Sequence, residues 1–201
     1  PSHNSKTPEF IMGIHGPFLI CIEQDQNPSS PIQILDVRDD NPSWEKIDLD
    51  LGGLFSTAIS HPKRGVVLLG QSSKGRDNSN LKLLRINSNT GDATVIDLPD
   101  FPELVHNATG VASGDLIYVV GGQNNQSPPL FSNRIYSLNL EKPELGWAQR
   151  PDLPAAGRAR TTLATHQSNL YVFGGYNSDD QVSLEDAWTF ALPNGPWQSI
   201  S

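Results

Sequence analysis

The chain has 201 residues, of which 36% are hydrophobic and 18% are charged, a balance that excludes an intrinsically disordered protein. Its formal net charge of −8 and its pI of about 4.9 exclude a typical nucleic-acid-binding domain, because such domains carry a basic patch. No apolar stretch of the sequence is long enough to form a helix that spans a membrane.

A strand-like segment recurs along the chain. In chain order its copies are 18–23 (FLICIE), 66–71 (VVLLGQ), 117–122 (IYVVGG) and 170–175 (LYVFGG). The last residues of consecutive copies lie 48, 51 and 53 positions apart. A period near fifty residues, with a strand that ends in Gly-Gly, is typical of the blades of a β-propeller.

Each copy is predicted to be the second of four short strands, because runs of β-branched and apolar residues alternate with turn residues. Blade by blade, the predicted strands are 10–14, 18–22, 32–37 and 44–47; 56–59, 66–69, 81–86 and 93–98; 108–112, 117–120, 134–140 and 147–150; and 161–165, 170–173, 186–192 and 197–200. The predicted fold is therefore all-β, with four four-stranded antiparallel blades in a single domain over 1–201. The approximate blade limits are 9–50, 55–99, 106–151 and 160–201.

Three tryptophans occupy the same place in their repeats, at the start of the predicted fourth strand. They are Trp44, Trp147 and Trp197, and each is expected to pack its ring on the neighbouring blade. The Gly-Gly pairs are expected where the second strand ends and the chain turns sharply, since glycine accepts positive φ and close backbone contacts.

The strands at 118–122 and 171–175, together with these tryptophans, resemble the kelch family of β-propellers. Three longer segments, 107–123, 132–140 and 151–160, resemble bacterial kelch proteins of the N-acetylneuraminate mutarotase (epimerase) type. This resemblance implies a six-bladed propeller, an isomerase that interconverts the anomers of sialic acid without a metal or cofactor. It also favours a periplasmic or extracellular location, although the residues alone identify no compartment.

The sequence departs from that resemblance in two ways. Four blades are visible rather than six, so the chain is expected to be part of a larger ring, or an open ring that another molecule completes. The family pattern also implies a catalytic Gly-Glu pair, with an Arg a few residues later, at the end of one second strand. Here Gly70, Gln71 and Arg76 stand at those places, and a glutamine cannot take up a proton as a carboxylate does.

The fold of the family places the candidate site residues around one mouth of a central channel. The catalytic candidates are Arg76, Gln71, Glu23 and His106, of which His106 is a candidate acid or base and Glu23 is a spare carboxylate base. The ligand-binding candidates are Arg158, Arg160, Gln123, Asn124, Tyr176 and Asn177. Arginine offers planar donors that suit a sugar carboxylate, and Tyr176 offers a stacking surface. The structural alternatives are that His106 orients its loop and that the arginines pair with nearby aspartates.

Three further histidines follow predicted first strands, in turns on the opposite face of the propeller. His15, His61 and His166 belong to different blades, whereas metal ligands must surround one ion at about 2–3 Å. The sequence therefore predicts turn residues here and no metal site. Cys21 stands alone in an apolar run and is predicted to be a small hydrophobic residue rather than a reactive thiol.

Two classes of function remain open from the sequence. One is a carbohydrate-directed enzyme of the mutarotase type, which works without a cofactor. The other is a non-catalytic platform whose rim loops bind a protein or a small glycan. In addition, an open set of four blades exposes two apolar faces, which predicts a homodimer formed through them.

Overall fold

The computed structural model of the chain describes residues 9–24, 32–72, 79–103, 105–177 and 183–200. Over these residues the fold is all-β, apart from a short 3-10 helix at Pro143–Leu145, which confirms the predicted fold class. None of the described helical segments has the length and apolar character needed to cross a membrane.

The strands of the described residues form four antiparallel sheets of four strands each, and within each sheet the strands pair in chain order. Blade one contains β1 (Glu9–His15), β2 (Phe18–Gln24), β3 (Ile32–Asp36) and β4 (Glu45–Ile47). Blade two contains β5 (Gly53–His61), β6 (Gly65–Ser72), β7 (Ser79–Ile86) and β8 (Ala93–Asp97). Blade three contains β9 (Thr109–Ser113), β10 (Leu116–Val120), β11 (Ile135–Asn139) and β12 (Trp147–Arg150). Blade four contains β13 (Thr162–His166), β14 (Asn169–Phe173), β15 (Ala187–Ala191) and β16 (Trp197–Ser199).

The hydrophobic core lies between consecutive blades. In β6, Val66 and Leu68 pack toward blade one, whereas Val67 and Leu69 pack toward blade three. Strand β10 repeats the arrangement, with the pairs Ile117 and Val119 on one side and Tyr118 and Val120 on the other. Because both faces of these strands are buried, the recurring segment is apolar throughout and does not alternate with polar residues.

The Gly-Gly pairs have the predicted conformation. Gly121 and Gly122 have φ of 69° and 103°, and Gly174 and Gly175 have φ of 55° and 99°. A Cβ atom on Gly121 would lie 2.3 Å from the carbonyl oxygen of Arg158. Glycine is therefore required both by the left-handed backbone and by the approach of the next blade.

Two of the three tryptophans tie their blade to the preceding one, as predicted. The indole Nε1 of Trp147 donates to the carbonyl of Pro99 at 3.0 Å, and that of Trp197 donates to the carbonyl of Pro151 at 3.1 Å. Trp44 differs, since it precedes β4 and is 43% exposed. No blade precedes blade one among the described residues, so the packing predicted for Trp44 is not formed.

The first strand of blade two is longer than predicted. The prediction began the first strand of blade two at residue 56, whereas β5 begins at Gly53. The register of β5 on β6 shifts between Phe55 and Thr57, which leaves Ser56 unpaired in a β-bulge. The bulge allows pairing to continue on its far side, and it is located where the strand reaches the cavity described below.

Candidate functional site

A cavity of about 790 Å³ lies where the first strands of the blades, β1, β5, β9 and β13, come together. Its lining comes from all four blades: 10–12 of β1, 54–58 of β5, the segment 106–109 at the start of β9, and 160–161 before β13, with Gly70. The volume falls in the range of about 300–1,000 Å³ that is usual for small-molecule sites.

The cavity has an apolar side and a polar side. Phe10, Met12 and Leu54 line it from blades one and two and are 48%, 56% and 42% exposed. On the polar side, blade three contributes His106 and blade four contributes Arg160. Such a surface suits a ligand that carries both an apolar group and an anionic or hydroxyl-rich group.

Two residues of the polar side have left-handed backbones. Asn107 has φ of 55° and Arg160 has φ of 50°, and each stands two residues before the first strand of its blade. The amide of Arg160 donates to the carbonyl of Asn107 at 2.9 Å, so the two loops hold each other in this conformation. Ser56, the bulge residue of β5, occupies the corresponding place in blade two and also lines the cavity. Unusual backbone at one place in three consecutive blades is a sign of a functional site.

Arg160 is exposed and its guanidinium is available to a ligand. Within the described ranges, no carboxylate lies within salt-bridge distance of this side chain. An arginine without an internal anion, at the edge of a cavity, is suited to bind a ligand carboxylate through two parallel hydrogen bonds.

Arg158 lies only two residues away but has its donors occupied inside the protein. It is fully buried, and its Nη1 and Nη2 donate to the two carboxylate oxygens of Asp186 at 2.6 and 2.8 Å. Nη1 also donates to the carbonyl of Gly174 at 3.0 Å. The hydrogen bonds from Arg158 hold the pKa of Asp186 below its ordinary value. Of the ligand-binding candidates, the cavity lining includes Arg160 and not Arg158.

Three of the candidates form one connected group. The backbones of His106 and Gln123 exchange hydrogen bonds of 2.7 and 2.9 Å. The hydroxyl of Tyr176 donates to the Oε1 of Gln123 at 2.8 Å. Tyr176 is only 9% exposed, and its ring packs edge-on against Phe131 with the centroids 5.6 Å apart. The ring predicted as a stacking surface for a sugar is thus mostly covered.

The remaining candidates lie at the same end of their blades or outside the described residues. Asn124 organises its own loop, because its Oδ1 accepts from the amides of residues 126 and 130 at 3.2 and 2.8 Å. Asn177 follows Tyr176 and is half-buried. Glu23 lies opposite Phe10 in the β1–β2 register, next to the cavity. The backbone of Gln71 pairs with Leu54, whereas its side chain and all of Arg76 lie outside the described residues.

The sequence did not single out Asn107 or Ser56 as site residues. A signal was present, since both stand fifteen positions before the last residue of their repeat, as Arg160 does. Over the described ranges, no three His, Cys, Asp or Glu side chains come close enough together to hold a metal ion.

Comparisons with known proteins agree with this fold. Residues 105–144 match the Kelch motif family. The chain is 30% identical over 107 residues to the N-acetylneuraminate epimerase of Pasteurella multocida, an alignment that covers 51% of this chain and 26% of that protein. It is 26% identical over 114 residues to the enzyme of the same name from Haemophilus influenzae (strain PittEE), covering 55% of this chain and 28% of that protein. The chain thus matches about a quarter of the length of these curated relatives.

A solved structure, that of YjhT, superimposes on almost the whole chain. The TM-score is 0.71 at 13% sequence identity, and the match covers 98% of this chain and 66% of YjhT. At this level of identity the likeness shows the propeller fold.

Proposed function

Because this chain is a kelch-type β-propeller, we propose that its cavity binds N-acetylneuraminate and speeds the exchange between the two anomers of that sugar. The observation that carries the proposal is that Arg160, which pairs with no carboxylate of the described residues, lies at the same cavity as His106. The names of the relatives, aligned over about half of the chain, support the choice of sugar.

Arg160 is the anchor for the sugar carboxylate in this proposal. A guanidinium donates two parallel hydrogen bonds to a carboxylate, which fixes the orientation of the ligand as well as its position. In a chain of net charge −8, an exposed arginine at the cavity also provides local attraction for an anionic ligand.

His106 is the proposed proton carrier. Anomer exchange begins when His106 takes the proton of the anomeric hydroxyl at C2, the bond from C2 to the ring oxygen breaks, and His106 returns the proton to that oxygen. The C2 carbonyl of the open-chain keto acid then rotates. The C6 hydroxyl, which carries the former ring oxygen, adds to the other face of the carbonyl, and the same proton transfers run in reverse. An imidazole side chain can both accept and return such a proton.

The apolar side of the cavity accounts for the acetamido group of this sugar. Phe10, Met12 and Leu54 expose apolar surface inside the cavity, and a methyl group placed against them would be removed from water. Each buried methyl or methylene contributes about 0.8 kcal/mol, so this contact adds selectivity for an N-acyl sugar acid over a simple hexose.

The proposal is tested by following the equilibration of freshly released α-N-acetylneuraminate by NMR. We expect the wild-type chain to shorten the equilibration time relative to buffer, and Arg160→Gln to weaken binding by about 10- to 100-fold. Arg38→Gln is the matched control, because Arg38 is exposed and pairs with Asp36 beside β3, outside the cavity lining. Equal equilibration times in buffer and with saturating wild-type chain would rule out the catalytic proposal.

The second candidate function is a non-catalytic sugar-binding platform. It is favoured by Gln71, which stands where the family resemblance implies a catalytic glutamate. Saturable binding of N-acetylneuraminate that is lost in Arg160→Gln, without any change in equilibration time, would assign the chain to this class.

A further inference from the structure

We infer that Tyr176 is a positioning residue, which holds the loop of His106 at a fixed distance from the loop of Arg160. The inference rests on the proposed function, in which these two side chains act on one sugar. It assigns to Tyr176 a role other than contact with the ligand.

The first part of the link is made by the backbone of Tyr176. Its amide donates to the carbonyl of Ala159 at 3.1 Å and its carbonyl accepts from the amide of Ala159 at 2.9 Å. Ala159 directly precedes Arg160, so the backbone of Tyr176 fixes the position of the chain immediately before Arg160.

The second part is made by the side chain. The Tyr176 hydroxyl reaches across to blade three and donates to the Oε1 of Gln123. The backbone of Gln123 in turn pairs in both directions with that of His106, at 2.7 and 2.9 Å. The hydroxyl therefore joins the loop that follows β14 to the segment that carries His106.

A third contact closes these links into a ring. The amide of Arg160 donates to the carbonyl of Asn107, the residue after His106, at 2.9 Å. Blade four is thus joined to blade three around the cavity residues by backbone hydrogen bonds, which include one from Gly122 to Arg158 at 2.8 Å, and by the Tyr176 hydroxyl. Removing that hydroxyl opens the ring on one side and leaves the backbone connection in place.

The surroundings of Tyr176 favour a precise position for the hydroxyl. The ring is 9% exposed and is held edge-on by Phe131. Phe131 also forms an isolated β-bridge with Gln123, so the tyrosine ring and the glutamine that receives its hydrogen bond are both fixed by the same neighbour. A buried, well-oriented hydrogen bond of this kind can hold one loop relative to another.

Tyr176→Phe is the direct test, and Tyr136→Phe is its matched control. Tyr136 is 7% exposed, and its hydroxyl donates to Glu103 at 3.2 Å outside the cavity lining. Both variants keep the ring and lose one hydroxyl in a buried environment. We expect both to unfold at slightly lower temperature, by a few degrees at most.

The two variants should differ at the cavity. In Tyr176→Phe we expect the rate constant for anomer exchange at saturating sugar to fall by about tenfold, with the dissociation constant changed by less than about threefold. In Tyr136→Phe neither quantity should change. An unchanged exchange rate in Tyr176→Phe, or an equal loss in both variants, would overturn the inference.

Gln123→Ala removes the other partner and checks the route of the effect. If the hydroxyl acts through Gln123, anomer exchange in the double variant Tyr176→Phe with Gln123→Ala should be no slower than in the slower of the two single variants. Effects that multiply in the double variant would show that Tyr176 acts by another route, which contradicts the inference.

A measurement without sugar separates this inference from the proposed function. In chains labelled at histidine, the imidazole NMR signals of His106, assigned with His106→Gln, should shift in Tyr176→Phe and stay in place in Tyr136→Phe. If the signals move as expected but the wild-type chain neither binds nor converts the sugar, the proposed function fails and the positioning role stands. If they do not move, the positioning role fails whatever the activity.

Discussion

Arg158 and Arg160 show how two residues of the same type, in the same loop, take opposite roles. Arg158 is enclosed and shares two hydrogen bonds with Asp186, whereas Arg160 is exposed at the cavity. The sequence predicted both as ligand-binding residues, because a loop of this composition gives no sign of which side chain turns inward. The deciding partner, Asp186, lies 28 positions further along the chain, beyond the reach of local pattern.

We expect Arg158→Ala to lower the free energy of unfolding by about 3–5 kcal/mol, because it leaves the carboxylate of Asp186 without its buried partner. Arg160→Ala, in the same loop, should change the free energy of unfolding by no more than about 0.5 kcal/mol. Urea denaturation followed by tryptophan fluorescence measures both. Similar losses in the two variants would contradict the assignment of Arg158 to the framework.

At the scale of the strands, the repeat pattern was sufficient for the blades and insufficient for the site. The second strands were predicted to within a few residues, since a run that is buried on both faces is apolar throughout. The bulge at Ser56 was not predicted, because a register shift depends on how β5 meets β6. The cavity-lining role of Asn107 depends on its left-handed backbone, which the composition does not mark, although its place in the repeat matches that of Arg160.

Two of the three histidines at the ends of the first strands join consecutive blades on the face opposite the cavity. The Nδ1 of His15 in blade one accepts from the amide of Ile86 in blade two at 3.1 Å. In blade two, the Nε2 of the buried His61 donates to the carbonyl of Gly114 in blade three at 2.8 Å, since its Nδ1 accepts from backbone amides. His166, in blade four, is exposed. The sequence placed these residues in turns but gave no sign that two of them tie blades together.

We expect stability to fall in mild acid through His15. Burial, followed by the charges of Arg85 and His61, lowers the pKa of His15 below its ordinary value of 6.5. The unfolded chain therefore binds the proton more readily, so the contribution of His15 is complete above about pH 6.5 and is lost as the pH falls toward the lowered pKa. Urea denaturation from about pH 7.5 to about pH 5 should show a smaller loss in His15→Gln than in wild type. His166→Gln, changed at the matching position of blade four, should keep the wild-type loss; an identical loss in His15→Gln would disprove the idea.

At the scale of the whole molecule, the stacking of the blades explains which apolar surfaces remain exposed. Blades two and three are covered on both faces by their neighbours. Among the described residues, blades one and four have one covered face each, and on their other faces Ile14 is 53% and Phe173 is 40% exposed. The number of blades predicted two exposed apolar faces, but the sequence did not show which residues form them, because those residues have the same composition as the buried core.

These two end faces should make the 201-residue chain associate with itself in solution. Contiguous apolar surface on a soluble protein favours contact with another molecule, and β-sheet faces of this kind pack on one another inside the chain. We expect the average mass in sedimentation experiments to rise above 21.9 kDa with concentration, and Ile14→Lys combined with Phe173→Lys to suppress the rise. Leu145→Lys is the matched control, because Leu145 is 73% exposed but lies in the 3-10 helix away from both faces. A wild-type mass that stays at 21.9 kDa at every concentration, or a suppression as strong in Leu145→Lys, would show that the end faces do not drive association.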